Sequence, residues 1–218
     1  MSKHVLFDLD GTLLDTARDF TQVLNQLLRQ YGRSDVSHSK VKEKVSDGAR
    51  ALVKLGFEID ESHENFNAYL QELLDIYAIK ITNTEAELYQ GIPELLNRIN
   101  AENYKWGIVT NKPSRFTTPL LKNYSVIQDS AVVICADQVS QGKPSPESLF
   151  LACDNLKIEP KECIYVGDHK RDIDAGKNAN IETVAVSWGY FKKNTQLKEW
   201  NPDLIVNTPQ EIAAYLFD

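Results

Sequence analysis

Short apolar runs rich in branched side chains recur along the chain, and each is followed by a polar loop and a helix-length stretch. The predicted strands are residues 5–7, 106–109, 132–136, 164–166, 183–186 and 204–206. The helix-length stretches are residues 91–102, 114–124, 145–156, 170–179 and 209–217. Continuous apolar strands that alternate with helices are typical of a parallel sheet covered on both faces. The pattern therefore predicts an α/β fold in which the carboxyl ends of the strands share one edge of the sheet.

One interval interrupts this alternation. Residues 17–86 show no strand pattern and instead carry apolar side chains at helical spacing. Two such stripes are Phe20, Val23, Leu24, Leu27, Leu28 and Tyr31, and Phe66, Leu70, Leu73, Leu74 and Tyr77. Stripes of this kind are typical of a core between helices rather than of a functional surface. We therefore predict a sheet domain of residues 1–16 and 87–218, with a small helical cap of residues 17–86 inserted after the first strand.

Composition and charge narrow the range of partners. The 218 residues can bury a sizeable core, and 24 basic against 31 acidic residues give a net charge of −7. This acidic balance argues against general binding to nucleic acid or to a membrane surface. No apolar run approaches the roughly 18 residues of a spanning helix, and the first strand pattern begins too early for a signal peptide. A cytoplasmic protein is expected, and monomer and homodimer are both open.

Polar residues follow four of the predicted strands. They are Asp8 and Asp10 after the first, Thr110 and Asn111 after the second, Lys143 beyond the third, and Asp168 and Asp172 after the fourth. Taken singly, each has an ordinary explanation, because Asp-Gly is a common turn dipeptide, an acid can cap a helix, and a loop lysine is usually solvated. Since all of them are expected at one edge of the sheet, we interpret them together as one site.

The chemistry that suits this combination is phosphoryl transfer. Two carboxylates at the end of a buried strand repel each other and lose hydration unless a cation lies between them. Oxygen ligands with few other donors select Mg²⁺. A carboxylate can then attack phosphorus, and a hydroxyl and a lysine can neutralise the remaining phosphate oxygens. Asp10 emerges on the same side of the strand as Asp8, where it can protonate the leaving oxygen and then deprotonate a water.

Four short motifs resemble those of the haloacid dehalogenase superfamily, over essentially the whole chain. They are DLDGT at 8–12, VTNK at 109–112, Lys143 before a proline, and GDHKRD at 167–172. The resemblance implies a Rossmann-like sheet with a helical cap inserted after the first motif. It also implies an aspartyl-phosphate formed on Asp8, with Asp10 as the general acid and base, and a phosphoryl group held by Thr110 and Lys143.

The same resemblance implies Mg²⁺ as the cofactor. The implied metal ligands are Asp8, Asp10 and Asp168, with Asp172 as a further ligand or a neighbouring acid. Contacts to phosphate or substrate are expected at Gly11, Thr12, Asn111 and Lys112. His169 stands where close relatives often have another acid, and we expect it to alter the tuning of the metal rather than to abolish its binding.

The second acid of the first motif distinguishes branches of the superfamily. Phosphatases carry it and dehalogenases lack it, so Asp10 implies a phosphatase. The chain most resembles the phosphoglycolate phosphatase group, and within it the N-acetylmuramic acid 6-phosphate phosphatases. The segments that carry this finer resemblance are SDGARALVKLGF, WGIVTNKPSRF and ICADQVSQGKPSPE. The implied activity is hydrolysis of N-acetylmuramic acid 6-phosphate in peptidoglycan recycling, with phosphoglycolate as the alternative substrate.

The cap segment offers two residues for the rest of the substrate. Ser-Asp-Gly at residues 46–48 is a turn signal that opens a helical pattern. Gly48 can therefore let the backbone approach the site, and Arg50 can reach the substrate, although a solvated helix residue explains Arg50 equally well. Both candidate substrates carry a carboxylate that an arginine can bind. The size of the pocket, tight for phosphoglycolate and roomy for a sugar, is what separates them.

Three other functions share parts of this pattern. A phospho-accepting receiver domain is much shorter and has no helical insertion after its first strand. A sugar phosphomutase would use the same nucleophile but return the phosphoryl group to the sugar. A silent sugar-phosphate sensor would not need the acid pair and Lys143. Release of free phosphate separates hydrolysis from the last two functions.

Overall fold

The computed structural model describes residues 4–192 and 195–218. Its strands are β1 (His4–Phe7), β2 (Leu14–Asp15), β3 (Glu87–Leu88), β4 (Trp106–Val109), β5 (Val132–Ile134), β6 (Cys163–Gly167), β7 (Glu182–Val186) and β8 (Leu204–Val206). Six of them form one parallel sheet in the order β5-β4-β1-β6-β7-β8, and β2 and β3 form a separate antiparallel pair. The predicted α/β fold with a Rossmann-like parallel sheet is confirmed.

Helices cover the sheet and build the inserted segment. They are α1 (Ala17–Gln30), α2 (His38–Lys42), α3 (Ala49–Phe57), α4 (Phe66–Lys80), α5 (Ile92–Ala101), α6 (Ser114–Leu121), α7 (Glu147–Leu156), α8 (Lys170–Asn178) and α9 (Pro209–Phe217). From α5 onward each lies within a stretch that the periodicity predicts. Among the described residues, none of these helices combines the length and the apolar character that crossing a lipid bilayer requires.

Two features of the strands differ from the sequence prediction. The third strand ends at Ile134 rather than at 136, because the backbone N–H of Cys135 donates to the side chain of Gln138 and the chain turns into a short 3₁₀ helix. The pair formed by β2 and β3 was not predicted, since two residues per strand are too few to show a period. Leu14 pairs with Leu88 there, beside both ends of the helical segment.

The first strand lies in the middle of the sheet, between β4 and β6. Val5 pairs with Trp106 on one side and with Ile164 on the other. Helices bury both faces of these strands, which explains their continuous apolar sequences. Because the strands run parallel, the residues that follow Phe7, Val109 and Gly167 emerge side by side at one edge, where open α/β sheets bind ligands.

The helical segment packs through the stripes that its sequence shows. Leu24 and Leu27 of α1 are buried, and Phe20 stacks on Tyr77 of α4 with ring centres 4.2 Å apart. Tyr31 departs from the pattern, because 43% of its surface is exposed at the end of α1. The division into a sheet domain of residues 1–16 and 87–218 and a cap of residues 17–86 stays a prediction.

Candidate active site

Three buried carboxylates meet at the edge of the sheet where β1 and β6 end. Asp8 follows β1, Asp168 follows β6, and Asp172 lies in the first turn of α8. One ligand atom of each lies within 4.8 Å of the others, and all three side chains are buried. Hard oxygen donors at this spacing are the kind that bind Mg²⁺. We refer to these three residues as the acid cluster.

Lys143 is the cation that faces the acid cluster. Its ammonium lies 2.6 Å from Asp8 Oδ1 and 2.7 Å from Asp172 Oδ1. Asn111 fixes the Lys143 backbone, since the Asn111 side chain donates to the Lys143 carbonyl and accepts from the Lys143 N–H, both at 2.9 Å. Although burial acts to lower the pKa of Lys143, the charges of Asp172 and Asp8 raise it above its usual value. Lys143 is therefore a permanent positive charge beside Asp8.

Burial makes two acids of the cluster, Asp8 and Asp168, hard to ionise. It raises the pKa of Asp8 to about 7, and the charge of Lys143 offsets that increase only in part. The pKa of Asp168 is raised well above its usual value, first by burial and then by repulsion from Asp8 and Asp172. Three acids against one lysine leave an excess of negative charge, which a divalent cation would neutralise. The residues present therefore fit a Mg²⁺ ion.

Close backbone packing fixes the position of Asp168. The backbone N–H of Tyr190 donates to Asp168 Oδ2 at 2.7 Å, and the hydroxyl of Thr12 lies 3.4 Å from Oδ1. Gly11 and Gly189 lie against the same side chain, and a Cβ at either position would overlap it. Gly11 also has a φ of +91°, in the left-handed region that favours glycine. Gly11 and Thr12, predicted to contact phosphate or substrate, thus contact Asp168 in this structure.

Asp10 lies outside the acid cluster and pairs with Lys112. Lys112 Nζ is 2.9 Å and 3.0 Å from the two Asp10 oxygens, and the Thr16 hydroxyl donates to Asp10 Oδ1 at 2.6 Å. The buried ammonium of Lys112 also lies 5.1 Å from the centre of the Phe20 ring and 5.0 Å from that of Tyr77. The contact of Lys112 with phosphate or substrate and the metal contact of the Asp10 carboxylate stay predictions.

His169 caps the start of α8. Its Nδ1 accepts from the backbone N–H of Arg171 at 3.2 Å, and Asp172 Oδ2 accepts from the His169 N–H at 3.0 Å. On the other side, Asp47 of the helical segment has Oδ1 4.0 Å from His169 Nε2 and 3.7 Å from Arg171 Nη2. Burial and then the charge of Arg171 lower the pKa of His169. The effect of His169 on metal tuning stays a prediction, and the structure adds a contact to the helical segment.

A cavity of about 520 Å³ lies at the sheet edge, between the acid cluster and the helical segment. From the sheet edge, Asp8, Asp10, Thr110, Asn111, Lys112, Lys143, Asp168 and Asp172 line it. The helical segment contributes apolar and aromatic side chains, among them Phe20, Leu70, Leu74 and Tyr77. These four residues belong to the apolar stripes that the periodicity assigns to the core between helices. Because they also form part of the cavity wall, the stripes are not only core.

Gly48 and Arg50 line this cavity too. Gly48 has a φ of +85°, and a Cβ there would meet no atom within 4 Å. Its positive φ favours glycine, and the approach of the Gly48 backbone to the site stays a prediction. The guanidinium of Arg50 donates to Glu61 at 2.8 Å, and Glu61 also accepts from Lys54 at 2.6 Å. The role of Arg50 toward substrate stays a prediction.

Sequence reasoning missed a tyrosine in the middle of β6. The Tyr165 hydroxyl accepts from Lys143 at 2.8 Å and lies 3.2 Å from Asp172 Oδ1 and 3.1 Å from the Val109 carbonyl. Its apolar neighbours in the sequence suggest only a core residue. The available signal is that a tyrosine in a strand buried on both faces must find a partner for its hydroxyl.

Known proteins are similar to this chain in sequence and in fold. A sequence profile for haloacid dehalogenase-like hydrolases matches residues 5–186. The N-acetylmuramic acid 6-phosphate phosphatases of Pseudomonas putida and Pseudomonas aeruginosa are 39% and 40% identical over 214 residues, which cover 98% of this chain and 96% and 94% of theirs. The phosphoglycolate phosphatase of Xanthomonas campestris pv. campestris is 34% identical over 211 residues, covering 96% of this chain and 94% of its own.

Solved structures agree with the topology. The crystal structure of a predicted phosphoglycolate phosphatase from Haemophilus somnus aligns with a TM-score of 0.86 at 24% identity, over 98% of this chain and 97% of that one. The crystal structure of a predicted phosphatase from Clostridium acetobutylicum aligns with a TM-score of 0.79 at 25% identity, over 99% and 98% of the two chains. At this identity the likeness concerns the fold.

Proposed function

The chain belongs to the haloacid dehalogenase-like hydrolase family, and we propose that it is a Mg²⁺-dependent phosphatase of N-acetylmuramic acid 6-phosphate. Its relatives make it a phosphoric monoester hydrolase, in agreement with the motifs. The observation that carries the proposed mechanism is the buried Asp8 carboxylate, which lines the cavity and pairs with Lys143. Burial of this acid costs stability despite the pair with Lys143, which is typical of a residue kept for chemistry.

Asp8 and Asp10 divide the work of the proposed reaction. Asp8 attacks phosphorus to form an aspartyl-phosphate, while the leaving oxygen takes a proton from Asp10. A water then gives its proton to Asp10 and attacks the aspartyl-phosphate, which releases inorganic phosphate and restores the Asp8 carboxylate. Lys112 pairs with Asp10 and holds its carboxyl group at the cavity, where Asp10 can exchange a proton with the leaving oxygen and the water.

The residues around Asp8 suit the charge of a phosphoryl group. Lys143 is held beside Asp8 with its ammonium charged, and the Thr110 hydroxyl and Asn111 line the same cavity. Donors fixed before the reaction can stabilise charge that develops on the phosphate oxygens. We assign a Mg²⁺ ion to the acid cluster, where when bound it would neutralise the phosphate dianion.

The volume of the cavity supports a sugar as the leaving group. About 520 Å³ lies within the range of about 300–1,000 Å³ that is usual for sites of drug-sized ligands. Ser46 and Tyr77, two residues of its lining, carry hydroxyl groups. Hydroxyls can donate or accept, so they suit the neutral polar groups of a sugar. Two relatives named as N-acetylmuramic acid 6-phosphate phosphatases support the same substrate.

Phosphoglycolate is the second candidate substrate. The observation in its favour is the 34% identity to a phosphoglycolate phosphatase over almost the whole chain. Against it stands the cavity, because glycolate would leave most of that volume without contact. A cytoplasmic location suits either substrate, and neither requires a nucleic acid or a membrane as partner.

Phosphate release over a panel of phosphomonoesters tests the proposal. With Mg²⁺ present, we expect kcat/KM for N-acetylmuramic acid 6-phosphate to exceed that for phosphoglycolate and for nucleotide monophosphates. Free phosphate must accumulate in step with substrate loss, since a mutase would instead yield an isomeric sugar phosphate. A higher kcat/KM for phosphoglycolate would reverse the choice of substrate, and no phosphate release from any compound would contradict the proposed function.

A further inference from the structure

We propose that Arg115 binds a carboxylate on the leaving group of the substrate and thereby determines specificity. The inference rests on the proposed hydrolysis of a phosphomonoester and adds to it the chemistry of the leaving group. Arg115 is the second residue of α6, and its side chain lines the cavity that also holds Asp8. It lies in the segment WGIVTNKPSRF but was not predicted to be a site residue.

The other lysines and arginines that line the cavity already have carboxylate partners. Lys143 pairs with Asp8 and Asp172, Lys112 with Asp10, Arg50 with Glu61, and Arg171 with Asp47. For Arg115, residues 4–192 and 195–218 supply no carboxylate oxygen within the 4.0 Å that defines an ion pair. Among the described residues, the cavity therefore has one cationic side chain, that of Arg115, without a carboxylate partner.

Asp137, on which the charge of Arg115 acts, is already engaged by Ser114. Asp137 accepts from the backbone N–H of Ser114 at 2.8 Å and from the Ser114 hydroxyl. Hydrogen bonds from Ser114 are the main cause of the lowered pKa of Asp137, and the charge of Arg115 contributes less than they do. Asp137 thus leaves the Arg115 guanidinium available to a ligand.

Arg115 is exposed to solvent beside the cavity, and its charge gains nothing from its place in the helix. Positive charge in the first turn of a helix is disfavoured by the helix dipole, so Arg115 does not stabilise α6 electrostatically. Its guanidinium lies 4.5 Å from the centre of the Phe116 ring, and the Phe116 side chain lines the same cavity. Stacking of this kind holds the planar group against the cavity wall while its N–H donors stay open to a partner.

A carboxylate is the group that best matches these donors. A guanidinium binds it through two parallel hydrogen bonds, a geometry that a neutral hydroxyl cannot offer. The phosphoryl group has its own cation in Lys143, next to the attacking Asp8. In a chain of net charge −7, an unpaired cation at the cavity also attracts an anionic substrate. The predicted substrate class is therefore a phosphomonoester with a carboxylate on its organic part.

The test compares Arg115→Gln with wild type on matched substrates. N-acetylmuramic acid 6-phosphate carries a lactyl carboxylate, and N-acetylglucosamine 6-phosphate is the same sugar phosphate without it. We expect Arg115→Gln to lower kcat/KM for the first by about 10-fold or more, mainly through KM. For N-acetylglucosamine 6-phosphate and p-nitrophenyl phosphate, kcat/KM should stay within about twofold of wild type.

Two further variants serve as references. Arg98→Gln is the matched control, because the Arg98 guanidinium also stacks on a phenylalanine, 4.6 Å from the Phe217 ring, but lies outside the cavity. It should not change the ratio between the two sugar phosphates. Arg50→Gln measures the competing arginine, and a larger selective loss there than in Arg115→Gln would overturn the assignment to Arg115.

Two other outcomes would contradict the role proposed for Arg115. An equal loss of kcat/KM on all substrates would mean that Arg115 acts on the phosphoryl group or on folding. An unchanged ratio of kcat/KM between the two sugar phosphates would mean that Arg115 does not determine specificity. Calorimetric titration of the two sugar phosphates into Asp8→Asn protein, with and without Arg115→Gln, gives the same comparison as dissociation constants. Because this binding measurement needs no turnover, failure of the inference is distinct from failure of the proposed hydrolysis, which phosphate release by the wild type reports.

Discussion

At the scale of single residues, the acid cluster shows a conflict between stability and chemistry. Burial raises the pKa of Asp8 to about 7 and raises the pKa of Asp168 well above its usual value, yet both acids stay in the core with Lys143 beside Asp8. A carboxylate that is this costly to ionise lowers the free energy of unfolding of the protein. Residues of this kind are where stabilising substitutions tend to abolish activity.

Asp8→Asn should show both sides of this conflict. Turnover should fall to near background, since the amide cannot attack phosphorus. In chelator at pH 8 the variant should be more stable than wild type, by about 1 kcal/mol or about 3 °C in Tm. The folded-state pKa of Asp8 lies above its unfolded value of about 3.9, so wild type loses stability as the pH rises from about 4 to 7. Asn lacks that loss.

Thermal unfolding in chelator between pH 4 and pH 8 measures this difference. The difference in stability between Asp8→Asn and wild type should grow with pH through that window and level off above pH 7. Asp154→Asn, which removes an exposed acid of α7, is the matched control and should show no such trend. An Asp8→Asn protein less stable than wild type at pH 8 would mean that the ion pair with Lys143 outweighs the cost of burial.

Gly11 gives a second prediction at this scale. Gly11→Ala adds a Cβ against the Asp168 carboxylate and also places alanine at a φ of +91°. We expect a loss of about 2–3 kcal/mol of stability, together with a large loss of activity as Asp168 is displaced. Gly32→Ala is the control, because Gly32 also has positive φ but open space around it, and it should cost only about 1 kcal/mol. Denaturant unfolding and phosphate release measure both effects, and equal losses in the two variants would refute the packing argument.

Much of the site could be predicted from residue types and their order. Asp8, Asp168 and Lys143 follow different strands, and a parallel sheet brings such positions to one edge, which is where the structure has them. The partner of Asp10 could not be predicted, because Lys112 is fixed by ring packing from distant helices. Arg115 was missed because its importance lies in the lack of a partner among the described residues, which only the packed structure reveals.

At the scale of elements, the sheet could be predicted more completely than the helical segment. Continuous apolar strands bounded by polar turns specify a buried parallel sheet, and the predicted bounds of β1, β4 and β8 differ from the observed ones by at most one residue. Helical periodicity alone does not show whether an apolar stripe packs fully or leaves a gap. The stripe of α4 does both, since Leu73 is buried in the core while Leu70 and Leu74 line the cavity.

Lys112 tests the link between these elements. Its ammonium joins Asp10, which follows β1, to Phe20 of α1 and Tyr77 of α4. Lys112→Met should cost about 3 kcal/mol, since it leaves the Asp10 charge without its partner, and should lower kcat more than it raises KM. Urea unfolding and steady-state kinetics measure the two effects.

A second lysine provides the matched control for this substitution. Lys42 Nζ lies 3.7 Å from Asp15 and 5.7 Å from the centre of the Tyr190 ring, but 35% of its side chain is exposed. Lys42→Met should therefore cost less than about 1 kcal/mol. If Lys112→Met cost no more than Lys42→Met, the cation between Phe20 and Tyr77 would not be holding Asp10 in place.

At the scale of the whole molecule, metal and protons should compete for the acid cluster and so set the stability of the protein. A ligand that binds only the folded state stabilises it by about 2.7 kcal/mol at 100 times its dissociation constant. Because burial holds the pKa of Asp8 at about 7, protons oppose Mg²⁺ below that pH. The rise in Tm caused by Mg²⁺ should therefore be larger at pH 8 than at pH 6. Ca²⁺ should also raise Tm but inhibit hydrolysis, since it accepts a looser and higher coordination.

Scanning calorimetry in Mg²⁺, Ca²⁺ or chelator, with phosphate release under the same conditions, checks this prediction. Asp168→Asn should lose most of the Mg²⁺-dependent rise in Tm, because it removes one of three converging carboxylates. Asp154→Asn removes an acid of the exposed surface and should keep that rise. With 31 acidic residues against 24 basic ones, a divalent cation can also bind weakly over the whole surface. Such binding would give the same rise in Tm in both variants. Full hydrolysis in chelator would mean that the acid cluster does not bind a metal needed for the reaction.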